Sequence, residues 1–188
     1  MALSTKQQLA QSLKELMAEK PLDKITVKEI VARCGVNRQT FYYHFRDIYN
    51  LLDWFFEEEG KVFMRRYPDA TFVGNGSQAI RLICEYLIEN RDMAINIYNS
   101  LGRDRFGDYL NGEFLKLLST VLTPHVENKN LSHGAADVMI SFYTHAVVGS
   151  LLDWVSGGLI GKVENIVALY TPLLRDGIEC ALQRLIVE

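Results

Sequence analysis

Apolar side chains recur along most of this chain every three to four residues, which is the period of an α-helix that buries one face. No stretch shows the sustained alternation of apolar and polar residues that marks a half-buried β-strand. The pattern therefore predicts an all-α protein.

Helix 1 is expected to begin near Ser4 or Thr5, where Thr5 and Gln8 can form a capping box. The sequence "EKPLDK" ends it. Its apolar stripe consists of four residues on one face: Leu9, Leu13, Leu16 and Met17. This stripe needs a partner, and the next two helices supply one.

Helix 2 has a well-specified start, because Thr26 and Glu29 form a second capping box while Ile25 and Ile30 occupy the positions of a hydrophobic staple. Gly35 suits the left-handed position that follows a helix. The inward face of this helix carries Val27, Ile30, Val31 and Cys34.

A third, short helix follows the Gly-Val-Asn turn, with Asn37 as its N-cap. Phe41 and Phe45 continue the inward spacing, so Tyr43 points away from the core. Two short helices joined by such a turn form a helix-turn-helix pattern. Asp47 then caps a long helix 4.

The remainder of the chain is also predicted to be helical. Pro68 ends helix 4, and "PDATFVGNGS" separates it from helices expected at 77–89, 91–101, 104–127, 132–156 and 162–186. Ser77 and Ser132 are expected caps, and Pro124 and Pro172 should each kink or break a helix. We divide the chain into a helix-turn-helix DNA-binding domain, residues 1–50, and a helical ligand-binding and dimerisation domain, residues 51–188, linked by the helix that begins at residue 47.

Charge is unevenly distributed along the chain. Residues 1–50 hold eight Lys and Arg against five Asp and Glu, a net charge of +3, whereas the remainder carries −6. A cationic end on an anionic body suits a protein that presents that end to a polyanion. Chance alone could also produce this asymmetry.

Other classes of site find little support in the sequence. Cys34, Cys84 and Cys180 lack metal-ligand or disulfide spacing, so we expect small core residues. We find no catalytic constellation and no phosphate-binding loop, so no enzyme, metal or cofactor is expected. Without a signal sequence or an apolar run of about 18 residues, we expect a cytoplasmic protein that does not enter a membrane.

The polar residues of helix 3 suit DNA. Arg38 can reach a guanine edge and Gln39 an adenine edge, because the N-terminal end of such a helix enters the major groove. Residues suited to phosphate oxygens are Thr40, Tyr42, His44 and Arg46. The alternative is a structural aromatic cluster in which Tyr42 and Tyr43 only cover the core.

The stretch "ITVKEIVARCGVNRQTFYYHFRDIYNLL" contains an apolar-Thr pair, Ile-x-x-x-x-Gly-Val, Thr-Phe-Tyr-x-x-Phe and a closing Leu. With residues 5 to about 56, it resembles the TetR/AcrR family of transcriptional regulators, and it departs from that family's lysine-containing pattern at Arg46, Asp47 and Ile48. The resemblance implies phosphate contacts by Thr40, Tyr42 and His44, base reading around Arg38, Gln39 and Tyr43, and backbone contacts by Thr26 and Lys28. Asn37 belongs to the same expected DNA-binding set.

The stretches "RDMAINIYNSLGRDRFGDYL" and "FYTHAVVGSLLDW" are similar to the subgroup that includes dihydroxyacetone-kinase operon regulators. Members of such a group respond to a small ligand or to a partner protein, so we expect an effector of one of these kinds. Candidates to line its pocket are Tyr86, Asn96, Tyr98, Asn99, Tyr143, His145 and Trp154. The alternative for each is a core residue whose polar group is satisfied within the fold.

The last two helices carry more apolar surface than a single contact between them would bury. It comprises Met139, Phe142, Val147, Leu151, Leu152, Ile166, Leu169, Leu173, Leu174, Ile178 and Leu182. Pairing with the same helices of a second copy would cover it as a four-helix bundle, unless it faces helices of its own chain. A dimer also suits DNA binding, because one short recognition helix reads too few base pairs.

These features predict a TetR-type transcription regulator that binds an inverted-repeat operator in double-stranded DNA as a homodimer. An effector in the C-terminal part is expected to control it, and the subgroup resemblance implies a dihydroxyacetone-kinase-type operon. The alternative is a helical protein-interaction or small-molecule-binding module without specific DNA binding.

Overall fold

The computed structural model describes residues 3–66, 76–127 and 133–184. Its helices are α1 Thr5–Glu19, α2 Val27–Cys34, α3 Arg38–His44, α4 Ile48–Arg66, α5 Gly76–Glu89, α6 Arg91–Glu127, α7 His133–Ser156 and α8 Val163–Arg184, with a 3₁₀ turn at Leu22–Lys24. These ranges contain no strand, so the all-α prediction is confirmed. We call α1–α3 the head and α5–α8 the body, with α4 between them.

One buried core runs through both the head and the body. In the head, the predicted stripe of α1 packs with apolar residues of the next three helices, and the fully buried members are Leu9, Leu13, Met17, Ile30, Phe41, Leu51 and Leu52. In the body, α6 packs on α7 and α5 packs on α8. Because α1 also packs on α6, the head rests directly on the body.

Helix α1 has the predicted capping box, but one residue earlier than expected. Ser4, not Thr5, is the N-cap, and it pairs with Gln7 rather than Gln8: the Gln7 amide donates to Ser4 Oγ at 3.3 Å, and the Ser4 amide donates to Gln7 Oε1 at 2.9 Å. Ser4 has the extended backbone that an N-cap needs, whereas Thr5 is already helical.

Helix α5 begins at Gly76, one residue earlier than predicted, so Ser77 lies inside it rather than before it. Helix α8 is described as far as Arg184, and its predicted end at 186 lies outside the described residues. Ser132 and Pro68, the other expected boundary residues, lie outside the described residues.

Neither Pro124 nor Pro172 ends its helix, so of the predicted kink or break the break does not occur. Proline lacks the N–H that would bond the carbonyl four residues earlier, which is Ala168 for Pro172. Both of these residues are exposed, so water can bond the unpaired carbonyl.

Helix α6 is interrupted at Gly102, whose φ of 74° and ψ of 172° are not helical. Glycine adopts this backbone readily, whereas residues with a Cβ rarely do. The helix therefore has two arms, 91–101 and 103–127, which agrees with the two helices predicted there.

The three cysteines lie in different environments. Cys84 is buried, and burial raises the pKa of its thiol to about 11, while Cys34 is half-buried. Cys180 is exposed on α8, so the expectation of a core residue is wrong there. No two of them form a disulfide.

The segment Gly134–Ser156 of α7 is long and apolar enough to cross a membrane by length and composition. This differs from the expectation that no such run is present. In the structure, α7 packs on α6 and contributes buried residues to the body's core. A core helix of a folded domain meets the same criterion of length and composition.

Candidate nucleic-acid interface and effector cavity

The start of α2 is fixed by capping and by an ion pair. Thr26 Oγ1 accepts a hydrogen bond from the Glu29 amide at 3.4 Å, and the Glu29 carboxylate accepts one from the Thr26 amide at 2.9 Å, which confirms the predicted box. Lys20 Nζ lies 2.5 Å from the same carboxylate. The Lys20 bond, followed by the Thr26 bonds, lowers the pKa of Glu29 to about 2.

The turn between α2 and α3 uses the two residues predicted for it. Gly35 ends α2 with a φ of 72°, in the left-handed region that favours glycine. Asn37 Oδ1 then accepts a hydrogen bond from the Thr40 amide at 2.8 Å and caps α3. These contacts fix the direction in which α3 leaves the turn.

Helix α3 has one buried and one exposed face. Phe41 is fully buried and Phe45 nearly so, which anchors the helix on the head's core. Tyr43 is 84% exposed and Tyr42 is 52% exposed. Arg38 lies beside Tyr42, with its guanidinium 6.0 Å from the ring centroid. Large aromatic side chains exposed beside a cation are typical of a binding surface.

The structure places most of the expected DNA-binding residues in water. Those exposed are Thr26, Lys28, Asn37, Arg38, Gln39, Tyr42, Tyr43 and Arg46, while Thr40 and His44 are half-buried. Several contact each other: the Thr40 hydroxyl donates to Asn37 Oδ1 at 3.1 Å, and the Tyr43 and His44 rings meet edge to face at 4.9 Å.

Lys6 is a further cation at this surface that sequence reasoning missed. Its Nζ lies 5.7 Å from the centroid of the Phe45 ring, so it stands beside the C-terminal end of α3. The signal was present in the sequence, since Lys6 lies in the first turn of α1, a helix whose stripe had to pack on the helix-turn-helix. We include Lys6 in the candidate DNA surface.

The acidic residues near the helix-turn-helix differ in position, since Glu19 is held by a cation away from α3, whereas Asp47, just after α3, pairs with Arg46 at 3.0 Å. Arg33 makes two hydrogen bonds to Glu19, at 2.7 and 2.9 Å, and these lower the pKa of Glu19. By contrast, Lys6, Lys28 and Arg38 form no ion pair within the ranges that the structure describes. Three cations of the head are therefore without a carboxylate partner among the described residues, an arrangement that favours a polyanion.

A cavity of about 430 Å³ lies between α4, α5 and α6. Most of its lining is apolar, namely Phe55, Phe56, Phe63, Met64, Ile83, Leu87, Met93, Ala94, Ile97, Phe106, Leu110, Phe114, Leu117 and Leu151. Its polar lining consists of Glu59, Tyr86, Glu113 and Thr120 together with three basic residues, Lys61, Arg65 and Lys116. A concave, apolar site with a few polar groups has the general form of a small-molecule site.

A smaller cavity of about 230 Å³ lies between α5, α7 and α8. Trp154, one of the expected pocket residues, lines this second cavity, and its Nε1 donates to the Ile160 carbonyl at 2.9 Å. Tyr86 lines the larger one. The two expected residues therefore belong to different cavities.

The other expected pocket residues line neither cavity. Asn96 donates its side-chain amide to the Met17 carbonyl of α1 at 2.9 Å, and Tyr143 packs its hydroxyl against Gly177 of α8. His145 is exposed and bonds the Ser141 carbonyl within its own helix at 2.7 Å. Asn99 is exposed, and Tyr98 is half-buried at the edge of the core.

Sequence reasoning also missed polar residues that do line the larger cavity. Glu59 accepts a hydrogen bond from the Tyr86 hydroxyl, and burial beside this carboxylate raises the pKa of Tyr86, which keeps it a neutral donor. Glu113 lies against Gly60 of α4. Phe56 of α4 faces this cavity as well. These residues are far apart in sequence, so no local pattern joined them.

Hydrogen bonds connect the head and α4 to the first arm of α6 and its continuation. Besides Asn96, the Leu22 amide donates to Ser100 Oγ at 2.8 Å, and the Tyr109 hydroxyl donates to Asp53 of α4 at 2.6 Å. The Phe56 and Tyr109 rings stack at 4.7 Å. Helix α6 is therefore in direct contact with α1, the 3₁₀ turn and α4.

An exposed apolar face covers parts of α7 and α8. It consists of Val138, Phe142, Leu169 and Leu173, each about two-thirds exposed or more. Of the residues expected to form a surplus apolar surface, Phe142, Leu169 and Leu173 are exposed, Ile166 is half-buried, and the others are buried within their own chain. We call these four exposed residues the α7–α8 face.

Comparison with known proteins gives two matches to sequence profiles of families. Residues 9–53 match bacterial regulatory proteins of the tetR family, and residues 74–176 match a transcriptional regulator C-terminal region. The first match contains α2 and α3. The second contains the smaller cavity, the part of the larger cavity that α5–α7 line, and most of α7 and α8, but not the α4 wall of the larger cavity.

One curated relative is the HTH-type dhaKLM operon transcriptional activator DhaS of Lactococcus lactis subsp. lactis (strain IL1403), which is 29% identical over 90 residues. The match covers 48% of this chain and 46% of that protein, so it spans about half the length of the relative. A solved structure, described as the dihydroxyacetone kinase operon activator DhaS, superposes with a TM-score of 0.72 over 95% of this chain and 98% of that chain. At 20% identity, this likeness shows a shared fold.

Proposed function

Because the chain belongs to the TetR family of bacterial transcriptional regulators, we propose that it binds an operator in double-stranded DNA through α3 and is controlled by an effector in its body. The exposed face of α3 is the observation that carries this proposal. It combines hydrogen-bonding side chains, aromatic rings and the guanidinium of Arg38 on a helix that two buried phenylalanines hold in place.

The position of each residue suggests its role. Arg38 and Gln39 lie in the first turn of α3, the part of a recognition helix that reaches base edges. The groups suited to phosphate oxygens flank them: Thr40, Tyr42, His44 and Arg46 on or just after α3, Thr26 and Lys28 at the start of α2, and Lys6 on α1.

The test uses a DNA site that the purified protein selects from a random pool. Arg38→Ala should weaken binding to that site by about 1–3 kcal/mol and reduce the preference over scrambled DNA. Arg175→Ala is the matched control, because Arg175 is an arginine of α8 that pairs with Asp176 at 2.7 Å. Equal losses on both DNAs would contradict base reading by Arg38, and failure to select any sequence would contradict operator binding.

We propose that the α7–α8 face pairs with the same face of a second copy. A homodimer presents two α3 helices, which suits an inverted-repeat operator whose half-sites lie about one helical turn, roughly 34–36 Å, or a multiple apart. Sedimentation of the wild-type protein at micromolar concentration should give a dimer, and a monomer under those conditions would contradict the proposal.

Effector control is proposed to act through α4. This helix packs on α1 at one end and lines the larger cavity at the other, so a ligand that moves α4 must also move the head. A tenfold change in operator occupancy requires about 1.4 kcal/mol of differential affinity between the two head positions. Titration of candidate metabolites and partner proteins, dihydroxyacetone among them, against operator-bound protein tests this. If none changes operator affinity, the body serves only for assembly.

The relative from Lactococcus lactis is described as an activator of the dhaKLM operon. We propose that this chain also acts in the cytoplasm on a dihydroxyacetone-kinase-type operon. Deleting its gene should change the transcript level of such an operon, and wild-type protein but not Arg38→Ala should restore it. An unchanged transcript would contradict the operon assignment without affecting DNA binding.

A further inference from the structure

Glu59 of α4 belongs both to the larger cavity and to the contact with the head. It lines the cavity, and its Oε2 accepts a hydrogen bond from the Tyr86 hydroxyl. The same oxygen lies 2.7 Å from Nζ of Lys14, which belongs to α1 and does not line the cavity. One carboxylate therefore connects the cavity wall to the head.

The ion pair between Lys14 and Glu59 is partly shielded from water. The two side chains are only 24% and 23% exposed, and the Lys14 ammonium also lies over the rings of Tyr86 and Phe55, at 5.4 and 6.0 Å. Reduced solvent access weakens screening by water and salt, so this pair holds α1 to α4 more firmly than an exposed pair would.

A second carboxylate lies on the neighbouring part of the wall. Glu113 of α6 packs so closely on Gly60 that a Cβ added there would lie 2.5 Å from its Oε2. Its cation partner, Lys116 at 2.6 Å, has a side chain that is 64% exposed, so a ligand can displace it at low cost.

The rest of the wall also favours a cation. Phe56, Phe63, Phe106 and Phe114 line the cavity, and the faces of aromatic rings attract positive charge. Three basic residues, Lys61, Arg65 and Lys116, line the cavity as well, and all three are exposed. Lys61 is paired with glutamates of its own helix, and Lys116 with Glu113. The less exposed charged groups of the wall are the carboxylates of Glu59 and Glu113, at 23% and 24%, and they lie among aromatic rings.

We infer that the cavity binds an apolar organic cation, a protonated amine or quaternary ammonium on an apolar body, and that this cation competes with Lys14 for Glu59. The inference rests on the proposed effector control and names its ligand class and its coupling residue. When the cation takes the place of Lys14 at Glu59, the contact between α1 and α4 is weakened. Binding of the ligand in the cavity thereby changes the position of the head. By linkage, removal of Lys14 must tighten the binding of the cation.

The probes for the test share one apolar body and differ in charge: 4-phenylbutylamine, 4-phenylbutanol and 4-phenylbutyrate. Calorimetry on the full chain should show that the amine binds roughly tenfold more tightly than the alcohol, with the carboxylate weakest. Lys14→Met should tighten binding of the amine several-fold and leave that of the alcohol unchanged. Glu59→Gln should remove the advantage of the amine.

Lys24→Met is the matched control, because it removes an exposed cation of the 3₁₀ turn that does not contact Glu59, and its affinities for the three probes should equal those of the wild type. A purely structural role of Lys14 would weaken all three probes together or none. If Glu59→Gln unfolds because Lys14 loses its partner, the Lys14→Met/Glu59→Gln double variant removes both charges and should likewise show no preference for the amine.

No binding of the amine by the wild type, equal binding of amine and alcohol, or tighter binding of the carboxylate would overturn the ligand class. Unchanged affinity for the amine in Lys14→Met would overturn the competition at Glu59. Operator binding measured without any probe keeps the two proposals apart, because intact operator binding with no amine binding rejects only this inference. Amine binding without sequence-specific DNA binding rejects the proposed function instead.

Discussion

The α3 surface and the α7–α8 face both leave large side chains in water, yet their chemistry differs. On α3, Tyr42 and Tyr43 are accompanied by Arg38 and Gln39, so the surface offers hydrogen bonds and positive charge. The α7–α8 face offers aliphatic groups and one phenyl ring. The α3 surface gains most binding free energy from phosphates and base edges. The α7–α8 face gains binding free energy only when its apolar groups leave water, so an equally apolar surface suits it best. Exposure alone does not identify a partner, whereas the accompanying polar groups do.

The strongest separation of the two surfaces should come from salt. For 6–10 phosphate contacts, raising the salt concentration from 50 to 200 mM should weaken operator binding by about 10³–10⁵-fold. Lysine and arginine side chains that bind phosphates release counterions from the DNA, and this release is less favourable at high salt. Apolar pairing of α7 and α8 releases no counterions, so the proposed dimer should persist at both salt concentrations. Fluorescence anisotropy with operator DNA measures the loss of DNA binding, and sedimentation of the free protein measures whether the dimer persists. Operator binding indifferent to salt, or a dimer that dissociates at 200 mM, would remove the distinction.

A charge placed on the α7–α8 face should abolish pairing. Phe142→Asp, at a side chain that is 65% exposed, should give helical monomers whose operator affinity falls by about 10²–10⁴-fold, because two linked half-site contacts become one. Ile160→Asp is the matched control, since Ile160 is 79% exposed but lies outside that face. Sedimentation and circular dichroism measure the outcome, and a Phe142→Asp variant that stays dimeric would refute this interface.

A smaller effect is expected from one hydroxyl of the α3 surface. Tyr42→Phe should weaken selected and scrambled DNA alike by about 0.5–1.5 kcal/mol, the usual worth of one hydrogen bond. Tyr49→Phe, at an exposed tyrosine in the first turn of α4 whose ring lies beside Arg105, serves as the comparison and should have no effect. A loss of affinity for the selected site alone would indicate that Tyr42 contacts a base rather than a phosphate.

The smallest effect concerns the charge that supports the start of α2. Glu29→Gln can keep the cap but loses the ion pair with Lys20, so its melting temperature should lie slightly below that of the wild type at pH 7. The pKa of Glu29 is lowered from 4.5 to about 2 in the folded protein, so this stabilisation is present above pH 4.5 and is lost as the pH falls towards 2. Glu179→Gln on α8 is the control. A difference that does not change with pH would contradict the role of the charge.

Much of the head could be predicted because its signals are local. The Thr26 and Glu29 box, the glycine after α2 and the Asn37 cap each act over three residues or fewer, and the spacing of Phe41 and Phe45 settles which face of α3 is buried. The one shifted cap, Ser4 in place of Thr5, arose because adjacent hydroxyl residues fit the same motif.

The cavity could not be predicted in the same way, because contacts between distant residues form it. Glu59 meets Tyr86 of α5, and Gly60 meets Glu113 of α6, with no sequence signal that relates them. A polar residue on an apolar helix also fits several environments: Asn96 bonds α1, whereas Tyr143 packs on α8. Only the packing of the helices distinguishes these outcomes.

The interruption of α6 at Gly102 determines how far one helix can reach. A straight helix of 37 residues would be about 55 Å long, well beyond the diameter of a small domain. The non-helical backbone at Gly102 instead divides α6 into two arms. Asn96 and Ser100 of the shorter arm contact the head, and Phe106 and Phe114 of the longer arm line the cavity. A rotation about this single joint changes the angle between the two arms without stretching either of them.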